Sequence, residues 1–335
     1  MHLDLDHCIT CGGEYVQHGN RWKCRYCGGL RPMVQLGDNE TLLAIAFQKL
    51  REQNFLDAEQ DFDDIIQRAP TLPLGYWGHV CARYGIKYER DFSGQMIPTC
   101  SMPAIESFAN DPHFQKAVEY SDEETAAWYR SQCEYIERVR KVWAEKASKE
   151  KPYDIFISYK DSDLTNGIDR TQDSLDAHEL YFFLRDLGYR VFYSRESLRD
   201  KTGEKYEPYI FHALNTAKVM IVYGSSVEYI QSTWVKNEWQ RFGRRIALGE
   251  KEPGSLLTVY KGFSPGDLPP ALRTTQCMDK ESLSFSVDLK NYLEKMIPKG
   301  KKKDPKPAEP VKPVEPVKPA APVKPAEPVK PAEPV

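Results

Sequence analysis

Two groups of residues in this chain have the types and spacing to do chemistry. The first is Ser232-Thr233-Trp234-Val235-Lys236-Asn237-Glu238-Trp239. Trp234 and Glu238 are four residues apart, so on a helix they share one face. An indole beside a carboxylate can hold a flat organic group and offer it a negative charge. A core tryptophan next to a solvated glutamate fits the same spacing. The second group is Cys8-Ile9-Thr10-Cys11 and Cys24-Arg25-Tyr26-Cys27, two Cys-x-x-Cys turns separated by twelve residues. Each turn can present two thiolates to one ion, and two turns complete a tetrahedron, as in a zinc ribbon. Gly12-Gly13 and Gly28-Gly29 follow the turns, where positive φ is wanted. Trp22 and Tyr15 are expected to cover a core too small to fold without metal. Two redox pairs are the alternative. Arg21, Lys23, Arg25 and Arg31 offer charge to a nucleic acid, but a structural or protein-binding knuckle is the preferred reading.

The chain around these groups has 335 residues, enough for two or three domains, with 41% apolar and 12% aromatic residues for packed cores. A net charge of −3 announces neither a nucleic-acid nor a membrane partner. No apolar run is long enough to span a bilayer. The acidic start Met1-His2-Leu3-Asp4-Leu5-Asp6 lacks a signal peptide's basic and apolar regions. Of eight cysteines, four form the spaced set and four are scattered, which suits a reducing compartment. A cytoplasmic protein without a membrane partner is expected.

The elements that must position Trp234 and Glu238 follow Lys151-Pro152. Tyr153–Tyr159 is an apolar run without helical period, a buried strand. Leu175–Leu187 is an amphipathic helix closed by Gly188, and Arg190–Tyr193 a second strand. A polar loop is expected over Ser194–Gly203, a helix over Tyr209–Ala217 and a third strand over Val219–Tyr223. A fourth strand at Leu256–Tyr260 and a helix at Phe285–Met296 complete the pattern. Strands alternating with helices predict an α/β fold, a flavodoxin-like parallel sheet covered on both faces. Ligands bind such sheets beyond the C-terminal strand ends. That rule gathers Tyr159-Lys160-Asp161, the Ser194–Gly203 loop and the Trp234 helix at one rim. Arg170-Thr171-Gln172-Asp173 reads either as a contact for phosphate or a neighbouring subunit, or as a helix start with Thr171 as N-cap.

Between ribbon and sheet the period is helical. Leu42, Leu43, Ala46, Phe47 and Leu50 form one stripe, and Ala58, Phe62, Ile65 and Ile66 a second. The second helix resembles that of a tetratricopeptide repeat, in one copy only. One pair cannot bury its own faces, so it must pack on Leu74–Tyr84 and on the long helix of Glu123–Lys149. Gly85–Cys100 is strand-like, with a turn at Asp91-Phe92-Ser93-Gly94. This middle reads as an adaptor with a protein partner or as a spacer. From Lys299 the chain is low in complexity, with proline every third residue from Pro307 to Pro334, the period of a polyproline II spacer. The expected divisions are 1–36 zinc ribbon, 37–150 helical adaptor, 151–298 α/β domain and 299–335 disordered tail.

Tyr153–Asp161 resembles the first box of a TIR (Toll/interleukin-1 receptor) domain. Ser194–Gly203 resembles its BB loop, and Ser232-x-Trp234-x-x-x-Glu238 the segment that carries the glutamate of catalytic TIR domains. The layout of ribbon, helical region and TIR domain is similar to a group of bacterial TIR proteins. TIR domains either pair with one another and recruit partners or cleave the nicotinamide–ribose bond of NAD⁺. The resemblance implies that Glu238 is catalytic. It places Tyr159, Lys160, Asp161, Glu196 and Trp234 at the nucleotide, with NAD⁺ as substrate and Zn²⁺ as a structural ion on Cys8, Cys11, Cys24 and Cys27. It further implies self-association through TIR domains and a role in defence, antiviral defence included, or in stress signalling. Lys160 stands where catalytic relatives often have arginine, and lysine lacks the bidentate fork. A non-catalytic TIR scaffold is the second reading, and a nucleic-acid-sensing module led by the ribbon the third.

Overall fold

The computed structural model describes residues 7–32, 39–100, 107–163 and 169–298, and the expected tail at 299–335 lies outside them. Near the N-terminus, β1 (Tyr15–His18) pairs antiparallel with β2 (Arg21–Cys24), Tyr15 opposite Cys24. Two strands of this length do not hold together unaided. Gly12 and Gly28 take φ of 76° and 74°, so each Cys-x-x-Cys turn closes through a left-handed residue. The cover of this small core differs from expectation. Tyr15 packs against the cysteines, but Trp22 is 44% exposed. Trp22 sits two residues nearer the hairpin turn, about 7 Å further along the strand than Cys24. The covering indole is Trp128, whose Nε1 donates to the carbonyl of Cys27 at 2.9 Å.

The helical region runs α1 (Asn39–Arg51), α2 (Phe55–Arg68), α3 (Pro73–Arg83), a hairpin of β3 (Ile86–Arg90) and β4 (Met96–Cys100), α4 (Pro112–Glu119) and α5 (Glu123–Ser148). The apolar stripes do what the pattern requires. Leu43, Ala46 and Phe47 of α1, with Ala58, Phe62 and Ile65 of α2, are fully buried in one core with α3 and α5. Trp77 of α3 stacks on Tyr129 of α5 with ring centroids 4.6 Å apart. In the β3–β4 turn, Asp91 Oδ1 accepts from the backbone N–H groups of Ser93 and Gln95, each at 2.9 Å. Helix α4 was not expected. Its start is capped by Asp111, which accepts from His113 N, with Pro112 in the first turn.

The α/β region comprises β5 (Ile155–Ser158), α6 (Gln172–Asp186), β6 (Val191–Phe192), α7 (Ser194–Ser197), α8 (Glu207–Thr216), β7 (Val219–Gly224), α9 (Val227–Ile230), α10 (Thr233–Ala247), β8 (Leu256–Tyr260), α11 (Pro270–Arg273), β9 (Gln276–Asp279) and α12 (Phe285–Met296). The sheet is parallel, in the order β6-β5-β7-β8-β9. Alternate strand residues face opposite layers. Phe156, Met220 and Val222 pack under α8 and α10, while Ile155, Ile157 and Ile221 pack under α6 and α12. The fifth strand, β9, is a correction to the four-strand reading. Its sequence Gln-Cys-Met-Asp has no β-branched residue, and parallel pairing with β8 is what makes it a strand.

The chain leaves β5 for β6 on one side and returns to β7 on the other. The order therefore reverses between β5 and β7, where open α/β sheets take their ligands. Among the described residues, no helix is long and apolar enough to cross a membrane.

Candidate active site and metal centre

Helix α10 carries the Trp234–Glu238 pair, and its core face is Val235, Trp239 and Phe242. These buried side chains each contribute about 1.5–3 kcal/mol and fix the rotation of the helix. Trp239 Nε1 also donates to the carbonyl of Ile230 at 3.1 Å. Glu238 flanks this stripe and is only 7% exposed, whereas Trp234 is 39% exposed. The Glu238 carboxylate points at the end of β5, where Ser158 Oγ donates to Oε2 at 2.5 Å. Burial pushes the Glu238 carboxyl up to about 8, while the hydrogen bond from Ser158 pulls it the other way.

The two residues border a cavity of about 190 Å³ whose walls include Phe156, Tyr159, Lys160, Asp161, Ser194 and Ile210. Tyr159 stacks on Tyr193 with centroids 5.1 Å apart, and its hydroxyl lies 2.7 Å from Ser194 Oγ. Asp161 is already engaged. Arg195 donates to its two oxygens at 2.5 and 3.0 Å, and Ser174 Oγ donates at 2.9 Å. Lys160 has no carboxylate partner among the described residues, so its charge is available at the rim. Tyr159, Lys160, Asp161, Trp234 and Glu238 thus meet at one cavity. Glu196 does not line it; its carboxylate pairs with Arg199. Ser194–Gly203 is also more ordered than a plain loop, opening with α7 and a 3-10 turn at Arg199–Lys201. Thr171 is the N-cap of α6, accepting from Ser174 N, and Asp173 Oδ1 accepts from Ser225 N at 2.9 Å.

The sequence reading missed Ser158 and the backing of α10. Ser158 was legible as the one serine inside the first apolar strand run. Behind α10 lies α2. Lys236 Nζ meets Asp57 Oδ2 at 2.7 Å, and both Arg244 Nη groups donate to Glu59, Nη2 at 3.0 Å. Asn237 Nδ2 donates at 2.7 Å to the carbonyl of Gln53. Gln53 has a φ of 63°, a left-handed conformation that costs a non-glycine residue about 1–2 kcal/mol. Two contacts to α2 and one to the turn before it therefore hold the helix that presents Glu238 to the cavity.

The four N-terminal cysteines form a second centre. Cys8 Sγ lies 3.6 Å from Cys27 Sγ, and Cys11 Sγ 3.5 Å from Cys24 Sγ. All four sulfurs are within 4.8 Å of one another. A tetrahedron with metal–sulfur bonds of about 2.3 Å has edges of about 3.8 Å, so the set fits a single ion. Tyr26 N donates to Cys24 Sγ and Gly29 N to Cys27 Sγ, each at 3.4 Å, the outer-shell support that thiolate ligands take. Gly13 is needed for closure, because a Cβ there would stand 2.4 Å from the Tyr26 ring.

A parallel five-stranded sheet with a buried carboxyl beside its switch point defines an α/β domain of the flavodoxin-like class. Residues 155–289 match the family model described as the TIR domain, so this α/β region is a TIR domain, preceded by a helical region and a four-cysteine cluster. No curated protein matches the chain.

Proposed function

We propose that this chain is an NAD⁺ glycohydrolase of the TIR type, with Glu238 as the carboxylate that faces the ribose. The observation that carries this reading is the buried Glu238 carboxyl, held by Ser158 at the end of β5 and walled by Trp234. In the reaction the bond between ribose C1′ and the nicotinamide nitrogen breaks, and its electron pair leaves with neutral nicotinamide. Water attacks C1′ and gives its proton to solvent, leaving ADP-ribose; attack by the adenine of the same molecule gives a cyclic product instead. The leaving group needs no acid, unlike the alkoxide of a glycoside. One carboxylate beside the developing cation is enough. Glu238 must ionise first. The cationic nicotinamide ring entering beside it favours the charged form and drives the proton out. Lys160, at the cavity rim, takes the pyrophosphate in this reading.

A cavity of about 190 Å³ is smaller than the roughly 300–1,000 Å³ of ordinary ligand sites. It admits a ring and leaves the rest of the dinucleotide outside. This supports an enzyme of low basal activity that opens its pocket when TIR domains self-associate, with the helical region as the part that is clustered. The four cysteines hold a structural Zn²⁺, and the setting is a cytoplasmic defence or stress response. The test is nicotinamide release from NAD⁺ by the full chain, alone and clustered through its N-terminus, with Glu238→Ala beside it. Clustering should raise the rate, and Glu238→Ala should lower it at least about a hundredfold. Equal rates in wild type and mutant would reject the site. The small cavity also favours a second reading, a non-catalytic scaffold that signals by TIR pairing. No nicotinamide release from the clustered wild type would select it.

A further inference from the structure

A second cavity, larger than the one at Glu238, lies outside the TIR domain. A cleft of about 570 Å³ opens between β2 and the second cysteine turn, the β3–β4 hairpin and α5. Lys23 and Arg25 enter it from the ribbon and Arg138 from α5. All three are exposed, and none has a carboxylate partner among the described residues. Their neighbour Arg21 behaves differently. It is anchored at the start of α5, donating to Asp122 at 2.7 Å and to Glu124 at 3.3 Å. Arg51 is likewise engaged, donating to the Ile9 carbonyl at 2.7 Å. Lys23, Arg25 and Arg138 are thus three like charges gathered on one cleft, none of them paired with a carboxylate among the described residues.

Two aromatic rings share the same walls. Tyr26 lies between Arg25 and Cys27, and Tyr135 has the Arg138 guanidinium 5.3 Å from its ring centre. Unpaired cations call for an anion, and phosphate suits lysine and arginine alike. The Tyr135 ring, with a guanidinium against it, offers a stacking surface to a planar base. The volume is that of a small-molecule site, and three separate elements close around it, which suits a compact ligand better than a polymer passing through.

We propose that this cleft binds a nucleotide, with its phosphates on Lys23, Arg25 and Arg138 and its base against Tyr135. A ligand there would touch the ribbon, the hairpin and α5 together.

The test uses the full, metal-loaded chain and equilibrium binding of labelled ATP, with ATP, tripolyphosphate, adenosine and a ten-nucleotide single-stranded DNA as competitors. ATP should bind saturably and outcompete both tripolyphosphate and adenosine. Lys23→Glu and Arg138→Glu should each weaken it about tenfold or more, and higher salt should weaken it further. Both residues are exposed, so the fold should survive, as circular dichroism will show. Tyr135→Ala should weaken ATP while leaving tripolyphosphate unchanged. ATP binding that is absent, or undiminished in Lys23→Glu and Arg138→Glu, would overturn the proposal. So would tripolyphosphate binding as tightly as ATP, or Arg138-dependent binding of the DNA with none of ATP.

Discussion

Ser158 Oγ and Glu238 Oε2 are 2.5 Å apart, and this one hydrogen bond joins the last residue of β5 to the second turn of α10. Both side chains are buried, at 1% and 7% exposure. The hydroxyl can donate to the carboxyl in either protonation state, but it is worth more to the charged one. Burial wins over it, and the carboxyl rests near 8. At neutral pH Glu238 is therefore largely a neutral acid in this state of the protein, and a cationic ligand is what would ionise it.

The first consequence concerns stability. The Glu238 carboxyl titrates near 4.5 when unfolded and near 8 when folded, so the folded chain keeps a proton that the unfolded chain releases. Its contribution is full below pH 4.5 and is lost as pH rises through about 8. Across that window each pH unit removes up to about 1.4 kcal/mol. Glu238→Gln, which holds the neutral shape permanently, should lose less stability between pH 5 and 8 than wild type, by roughly that slope. Urea titrations at several pH values measure it. Parallel stability curves for the two proteins would show that Glu238 is already ionised in the fold.

Ser158→Ala tests the same pair through activity. Removing the donor takes away support for the charged form, so the Glu238 pKa should rise further. The rate of nicotinamide release from clustered protein should increase with pH in wild type, as Glu238 ionises, and the mutant profile should lie at higher pH. At pH 7 the mutant should be about tenfold slower and should recover part of the deficit at pH 9. Its folding stability should fall by about 1–2 kcal/mol. A uniformly lower rate with an unshifted profile would reduce Ser158 to packing.

Metal content provides a third test. The four sulfurs fit one tetrahedral ion, so purified protein should carry one zinc per chain, and Cys24→Ser should carry none or bind it far more weakly. Chelation should lower the melting temperature of the full chain and expose Trp128, whose indole hydrogen bonds the Cys27 carbonyl. Tryptophan fluorescence reads that exposure. A chain with no metal and full stability would leave the cysteines as redox pairs.

Much of this arrangement was legible in the sequence, and what was not has identifiable causes. The run at Ile155–Ser158, the alternation that follows it and the four-residue spacing of Trp234 and Glu238 are local signals. They placed the sheet and the cavity rim. Local spacing did not say which of the pair is buried. Hydropathy favours the tryptophan, but Val235, Trp239 and Phe242 set the rotation of α10 and bring the glutamate inward. Strand β9 was invisible because Gln276-Cys277-Met278-Asp279 has no strand propensity of its own and is made by its neighbour β8. Glu59 did leave a trace. It falls between Phe55 and Phe62 on the buried face of α2, and a carboxylate there demands a partner. Nothing local could name one lying 185 residues away.

That partner is Arg244. Glu59 is 6% exposed; it accepts two hydrogen bonds from the guanidinium, one at 3.0 Å, and its other basic neighbour is His79 at 3.6 Å. Arg244→Ala leaves the carboxylate buried with a weaker partner and should cost about 1–3 kcal/mol of stability. Arg244 is 40% exposed, which keeps the cost below that of a fully buried pair. Glu59→Ala removes the charge together with its need for a partner, so adding Arg244→Ala on top should cost little. The double-mutant cycle should return a coupling of about 1–2 kcal/mol. Lys236→Ala is the control. Its partner Asp57 is 42% exposed, and that pair should be worth under about 1 kcal/mol. Urea denaturation of the five proteins gives all three numbers. Additive costs for Glu59 and Arg244 would mean that the helix presenting Glu238 is held by its own core face, with α2 only a neighbour.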